Sequence, residues 1–194
     1  MKNILILFFV VIFQSNPVCA QSTTDVSFEF QAYPTGLIPG FRVEKSLSAK
    51  STLHLRLGYQ FIDHRDLGVH QNEEGSGFGF TIGFNKFLKH YYEKWHFGIR
   101  NDIWFNTIDW ESSIGTAPVP FGTTDIIVVQ PTAQVGYLFD FNKSWFITPT
   151  VSFGYEVNVK TEGEPTGEGA ILLIGINVGK RWMKIGRPSS DPDL

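Results

Sequence analysis

Two polar segments hold side chains whose types could act together in hydrolysis. Both are rich in turn-forming and acidic residues, and the candidates are His64, Asp66, His70, Ser112 and Ser113. A serine hydroxyl activated by a histidine, with an acid behind it, is the arrangement that attacks acyl carbons. Such a site depends on hydrogen-bond geometry, which residue spacing does not supply. A hydrolase therefore stands as an alternative, and we expect the protein not to be an enzyme.

The same histidines have acidic neighbours that are potential metal ligands. His64 and His70 lie near Asp63, Glu73 and Glu74. Their spacing on a loop is not a recognised ligand pattern, and the sequence has no CxxC and no glycine-rich phosphate loop. We predict no metal site and no cofactor. The formal charge of −3 also argues against a nucleic-acid partner.

The elements that position these loops are predicted by a repeat of period two. Residues 77–84 read Gly-Phe-Gly-Phe-Thr-Ile-Gly-Phe, with large apolar and small residues alternating. Successive side chains of a β-strand point to opposite faces, so each such segment predicts a two-faced strand. Eight segments follow this pattern, and they are 25–33, 37–46, 52–62, 77–86, 94–106, 125–139, 145–158 and 169–182.

Connections of alternating length join the segments. The long ones are 63–76, 107–124 and 159–168, whereas the others are short. Segments of nine to fifteen residues are long enough to cross a bilayer at a tilt. We therefore predict an all-β fold, an eight-stranded antiparallel up-and-down transmembrane β-barrel with short turns at one end and exposed loops at the other.

Each predicted strand has one large apolar face and a second face of smaller and polar residues. The composition of this second face decides which face meets water. A soluble lipocalin-like carrier would expose large polar groups there, but this face is mostly Gly, Thr, Ser, Gln and Asn, which suit a narrow lumen. Charged residues of the segments also fall on it. We predict a lumen charge network of Glu29, Arg42, Glu44, Arg56, Arg100, Asp102 and Glu156, with Trp104 filling the lumen beside it. The soluble carrier stays the alternative.

Aromatic residues collect near the predicted strand ends. Rings that are apolar on one side and wet on the other favour the membrane interface. The predicted girdle at the short-turn end consists of Tyr91, Tyr92, Trp95, Tyr137, Phe139, Trp145 and Trp182.

The amino-terminal residues have the layout of a cleavable signal peptide. Lys2 precedes an apolar run from Ile4 to Phe13, and Val18-Cys19-Ala20 fits a cleavage site. We predict domain bounds of 1–20 for the signal peptide, 21–182 for the barrel and 183–194 for a periplasmic tail. Cleavage would remove the only cysteine, so the mature chain would hold together without disulfides.

The alternating strands, glycine-lined face and aromatic ends resemble the small eight-stranded outer-membrane proteins of the OmpA-domain, OmpX and OmpW kind. The Val-Cys-Ala-Gln junction resembles export signals common in Bacteroidetes. A departure is the tail that follows Trp182, where such chains often end on an aromatic residue. The resemblance implies an integral outer-membrane protein that contacts membrane lipids and lipopolysaccharide and is inserted by the barrel assembly machinery.

The function predicted with this fold is structural or surface-interacting, with a largely plugged polar lumen. One alternative is a narrow channel for small or apolar solutes. Another is a lipid A deacylase or acyltransferase, although no histidine is closely followed by a serine within a predicted strand. The sequence does not identify the surface partner.

Overall fold

The computed structural model describes residues 22–65, 68–89, 94–112, 119–141 and 144–184. The predicted signal peptide and the end of the predicted tail lie outside this range, as do Tyr91, Tyr92, Asp66 and Ser113. The eight strands are β1 (Ser22–Tyr33), β2 (Gly36–Ser48), β3 (Ser51–Arg65), β4 (Asn72–Phe87), β5 (Lys94–Glu111), β6 (Phe121–Phe141), β7 (Trp145–Glu162) and β8 (Gly169–Lys184). No helix within the described residues is long and apolar enough to span a membrane.

The strands pair with their sequence neighbours, and β8 pairs with β1 to close a barrel. Every pairing is antiparallel, and the closing seam runs from Ser22 opposite Lys184 to Ala32 opposite Ile174. Closure gives each strand two neighbours, so the sheet has no edge strand. The predicted all-β, eight-stranded, up-and-down barrel is therefore confirmed. We call the end with the β1–β2, β3–β4, β5–β6 and β7–β8 connections the outer end, and the opposite end the inner end.

The predicted long loops were wrong in their bounds, because much of each is strand. β3 pairs with β4 as far as Arg65 opposite Asn72, and β5 pairs with β6 as far as Glu111 opposite Phe121. Of these three predicted loops, the strands leave only 66–71, 112–120 and 163–168 as connections. The ladder continues here while the outward residues become polar, so the alternation that marked the strands fades before the strands end.

The outward face carries an apolar belt between two charged rims. On β4, outward Lys86 lies near the inner end and outward Glu74 near the outer end, with Phe78, Phe80 and Ile82 exposed between them. Twelve residues at about 3.3 Å each, tilted by about 40°, span about 30 Å along the barrel axis. This distance matches the hydrocarbon core of a bilayer.

The two rims differ in charge. Exposed lysines dominate the inner rim, where Lys45 and Lys86 face outward and Lys94 is exposed at the start of β5. Acidic residues dominate the outer rim, which comprises Asp63, Arg65, Glu74, Asp109, Glu111, Asp125, Lys160 and Glu162. Ionised groups are costly in hydrocarbon, so residues level with the outer rim lie above the membrane-spanning part of the strands.

The interior has three layers. Near the inner end Phe87, Leu138 and Phe146 form a small buried apolar cluster, which we call the inner plug. The middle is polar and charged. Toward the outer end a second buried cluster, which we call the outer plug, consists of Tyr33, Ile38, Ile62, Trp104, Ile108, Ile126, Val128, Ile171 and Leu173. Apolar side chains thus lie on both sides of the charged middle.

Candidate functional site: the filled lumen and its outer cap

Glu29 on β1 is the centre of the charged layer. Its Oε1 accepts hydrogen bonds from Arg56 Nη1 at 3.0 Å and Arg100 Nη1 at 2.7 Å, and its Oε2 accepts one from Arg42 Nη1 at 3.0 Å. All four side chains are buried. Glu29 is therefore a carboxylate shared by three guanidinium groups, and these charge-assisted bonds are the strong kind.

Two further carboxylates complete the charge balance. Asp102 accepts hydrogen bonds from Arg56 Nη2 at 3.1 Å and Arg100 Nε at 2.9 Å. Glu44 accepts one from Arg42 Nη2 at 2.6 Å. Three carboxylates thus face three guanidinium groups, and the lumen network of Glu29, Arg42, Glu44, Arg56, Arg100 and Asp102 is neutral as a unit. Neutral hydrogen-bonding residues surround it, including Gln31, Thr52, Thr81 and Asn85.

Trp104 lies in the lumen above the network. The indole is fully buried, its Nε1 donates to Gln130 Oε1 at 2.9 Å, and its ring centroid lies 5.4 Å from the Arg56 Cζ. Gly79 makes room for it, because a Cβ at that position would lie 2.3 Å from Trp104 Cε3. The small residue at position 79 and the large one at 104 therefore fill the same cross-section.

Glu156 does not belong to the network, and this part of the predicted set needs correction. The residue is buried on β7, but it pairs with Gly169 near the outer end and makes no hydrogen bond or ion pair with the six network residues. The alternation along β7 predicted the correct face for Glu156, but it does not encode depth, and the residue lies at a different depth in the barrel from the network. The alternation of charges along the strands did not predict the buried pair of Asp25 and Arg181, which joins β1 to β8 with Arg181 Nη2 2.8 Å from Asp25 Oδ2.

The described members of the predicted aromatic girdle lie together at the inner end. Trp95 contacts Tyr137 with ring centroids 5.0 Å apart, and Tyr137 contacts Phe139 at 4.5 Å. Trp145 and Trp182 are exposed on the same outward face. These rings are next to the lysine rim, where a membrane interface would lie. Their role as a girdle stays a prediction.

Glu73 anchors the outer connections. Its Oε1 accepts hydrogen bonds from the backbone N–H groups of Val69 at 2.8 Å and His70 at 3.0 Å, and its Oε2 accepts one from Gly167 at 3.1 Å. Oε2 also lies 3.2 Å from His64 Nδ1. One buried carboxylate thus ties the connection after β3 to the connection after β7, and we call this arrangement the cap.

Glu73 is level with outward Glu74 and so lies above the membrane-spanning part of β4. Burial disfavours its charged form, but the hydrogen bonds from His64 and the three backbone N–H groups outweigh this and lower the pKa of Glu73 to about 2. The stabilisation that the cap draws from this carboxylate is present above its ordinary pKa of 4.5 and is lost as the pH falls toward 2.

His70 and Ser112, two of the candidate hydrolytic residues, do meet in the cap. His70 Nδ1 lies 2.7 Å from Ser112 Oγ, and its Nε2 lies 3.1 Å from the Pro165 carbonyl oxygen. The His70 ring stacks on Trp110 at 4.1 Å. The nearby backbone donors are already used, since the N–H groups of Val69 and His70 bind Glu73 and that of Ser112 binds the Pro120 carbonyl. No free pair of donors is therefore left among these described residues to stabilise an oxyanion, and the contacts favour a structural role.

Replacing Glu73 should loosen the cap without unfolding the barrel. In Glu73→Gln one acceptor oxygen and the negative charge are lost, so we expect the amides of Val69, His70 and Gly167 to exchange with solvent at least tenfold faster. Hydrogen exchange of the protein in micelles measures this. Glu74→Gln, the same change on the exposed face, is the matched control and should leave these amides unchanged. Equal protection in both variants would contradict the role of Glu73.

Within the described residues no group of three or more His, Cys, Asp or Glu side chains could hold a metal ion. His64 and His70, the candidate ligands, bind different partners, because His64 contacts Glu73 and His70 contacts Ser112. The geometry therefore gives these histidines hydrogen-bonding roles.

The closed ring of eight antiparallel strands, the apolar outward belt and the buried polar interior define a class. The fold is that of the small eight-stranded outer-membrane β-barrels, as the resemblance in the sequence implied.

Comparison with known proteins gives similarity to solved barrels of this class. A major outer membrane protein from Thermus thermophilus has 10% identity over 83% of this chain and 99% of that chain, with a TM-score of 0.52. The N-terminal β-barrel domain of Pseudomonas aeruginosa OprF has 11% identity over 82% and 97%, with a TM-score of 0.45. Ail, the attachment invasion locus protein of Yersinia pestis, has 9% identity over 84% and 99%, with a TM-score of 0.45. At these identities the likeness is one of fold.

Neither a protein-family profile nor a curated protein sequence matches the chain.

Proposed function

We propose that the protein is an integral outer-membrane barrel with a closed lumen, which acts as a structural or surface-interacting protein through its outer end. Lipids and lipopolysaccharide would surround its belt, and the barrel assembly machinery would insert it. The observation that carries the proposal is the layered interior, in which a neutral ionic network lies between two apolar plugs.

The layering supports a closed lumen because each layer excludes water for a different reason. In the network, the charged atoms bind one another rather than lining an open path. The cavity between the network and the inner plug is only about 10 Å³, room for about one water molecule. The plugs add buried aromatic and aliphatic side chains, which do not stabilise a permeating ion.

The outer end offers a surface that is suited to interaction. The cap holds the connections after β3, β5 and β7 together through Glu73, His70 and Thr124. Outside it, acidic side chains dominate the exposed rim. Such a rim would meet the divalent cations that bridge lipopolysaccharide phosphates, or a basic surface partner.

A narrow conduit is the second candidate, and buried polar atoms along one wall favour it. Thr132 Oγ1, Gln134 Oε1, Ser152 Oγ and Asn177 Oδ1, on β6, β7 and β8, have no hydrogen-bond partner within the described residues. Buried polar groups without protein partners usually bind water. A single file of water along this wall would connect the two ends past the charged network.

Planar-bilayer conductance separates the two candidates. In 1 M salt we expect the wild-type protein to give no steady open-channel current. The current should not exceed the leak of an empty bilayer, because the plugs and the network fill the cross-section of the lumen. A steady wild-type current would instead establish the conduit, provided that the current is smaller in Ser152→Leu, whose larger side chain narrows the water path along β6, β7 and β8.

A positive control shows that the assay detects an opened lumen. The double variant Trp104→Ala with Phe146→Ala removes the indole of the outer plug and a ring of the inner plug. Provided that it retains heat-modifiable gel mobility, this variant should conduct. Val151→Ala, a change on the outward face of β7, is the matched control and should stay closed.

A further inference from the structure

The barrel wall has a notch at its outer end, above the turn between β1 and β2. β1 pairs with β8 only as far as Ala32 opposite Ile174, so the five residues from Gly169 to Leu173 have no partner on that side. β2 likewise begins opposite Ile62, while β3 continues to Arg65. The short hairpin therefore leaves a gap between the upper parts of β3 and β8.

A cavity of about 430 Å³ occupies this notch. Its lining comes from both faces of the wall, since buried Ile171 and exposed Leu172 and Phe153 all contribute. Cavities of this volume are in the range that binds small organic molecules. The cavity therefore reaches from the barrel interior to the outward surface of β7 and β8.

Glu156 lies in this cavity, and within the described chain its carboxylate makes no hydrogen bond and no ion pair; His64 is the neighbouring group that favours its charged form. The residue is 7% exposed. Two neighbouring polar atoms bind elsewhere, because His64 Nδ1 lies against Glu73 and the Tyr33 hydroxyl donates to the Phe61 carbonyl. A buried carboxylate without a hydrogen bond or ion pair is costly, so a ligand that supplies a positive charge or donors would stabilise it.

The other residues that line the cavity indicate which further chemical groups a ligand would need. Glu168 adds a second carboxylate, whose Oε2 accepts a hydrogen bond from the Asn158 backbone at 2.9 Å. Pro34, Ala170 and Ile171 provide apolar walls. Two acids with apolar walls favour a cation that carries a short hydrocarbon body.

We propose that the notch is a binding site for an organic ammonium group attached to an apolar chain, with the ammonium at Glu156 and the chain along Phe153 and Leu172. Such a group is found on free alkylamines and on lipids with an amine headgroup. The site does not depend on whether the lumen conducts, so the conductance result and the binding result are independent.

Titration with hexyltrimethylammonium tests the site in wild-type protein in nanodiscs of phosphatidylglycerol. We expect saturable amide chemical-shift changes centred on Gly167, Gly169 and Ala170. Glu156→Gln should weaken binding at least tenfold. Glu162→Gln, which alters an exposed acid on the same strand, should bind as wild type does. Equal shifts with hexanoate, equal affinity of Glu156→Gln and wild type, or shifts spread over the belt would overturn the proposal.

Two further measurements complete the experiment. Ala170→Trp fills the cavity from an exposed position, so it should fold and lose binding, and retained binding would contradict the site. Nanodiscs that also contain phosphatidylethanolamine distinguish the source. Shifts at the same amides without added ligand, with weaker hexyltrimethylammonium binding, would assign the site to a lipid amine. Unchanged binding would assign it to a free amine.

Discussion

Glu29→Gln should lower the free energy of unfolding by about 3 to 5 kcal/mol, the cost of leaving a buried ionic group without its counter-charge. Glu29 accepts hydrogen bonds from Arg42, Arg56 and Arg100 at 2.7 to 3.0 Å. In the variant these three guanidinium groups keep only two carboxylates, Glu44 and Asp102, as counter-charges. Urea unfolding in phospholipid micelles, followed by tryptophan fluorescence, measures the loss.

Two controls separate charge balance from the loss of a contact. Glu74→Gln makes the same chemical change on the exposed outer rim and should alter stability by less than about 0.5 kcal/mol. The double variant Glu29→Gln with Arg56→Gln restores equal numbers of opposite charges, so its loss should be smaller than the sum of the two single losses. Additive losses, or a Glu29→Gln protein as stable as Glu74→Gln, would refute the shared carboxylate.

Leu57→Arg tests which face of the wall meets lipid. Leu57 is 71% exposed, and its strand neighbours Phe41 and Phe80 are exposed beside it at the middle of the apolar belt. In water an arginine at so exposed a position would be tolerated. In a bilayer it should destabilise the barrel by about 2 to 4 kcal/mol. Reversible unfolding from lipid vesicles gives this free energy directly.

Phe121→Arg is the matched control for this effect. Phe121 is also exposed, but it pairs with Glu111 at the outer rim, above the belt. An arginine there remains hydrated and lies beside an acid, so stability should stay within about 0.5 kcal/mol of wild type. If Leu57→Arg were as mild as Phe121→Arg, the belt would not be lipid-facing.

The barrel was predictable from the sequence because two environments select different residues at alternate positions. Phe78 and Gly79 show this, since the first faces outward and the second gives space to Trp104 inside. The upper strand ends were not predictable in this way. At Glu74 the outward face is already in water, so the backbone pairing continues without an apolar signal.

The network was predictable as a set of inward charges but not as a set of contacts. Glu29 is opposite Gly40 in the ladder, and its side chain reaches Arg100 across the lumen. That contact depends on the curvature and diameter of the closed sheet, which no local pattern encodes. The outer plug was obscured because inward Ile171 and Leu173 alternate with equally apolar outward residues. The cap depends on connections that meet only when the ring is complete.

The distribution of the network along the chain has a consequence for assembly. All six of its charges are on β1 to β5, whereas the closing contact between Asp25 and Arg181 joins residues 156 positions apart. A curved sheet of the first five strands can therefore neutralise its own concave surface before the chain is complete. The last strand brings the guanidinium group that compensates Asp25. The order of the residues thus suits stepwise insertion, in which each stage enters the membrane with most of its charge already compensated.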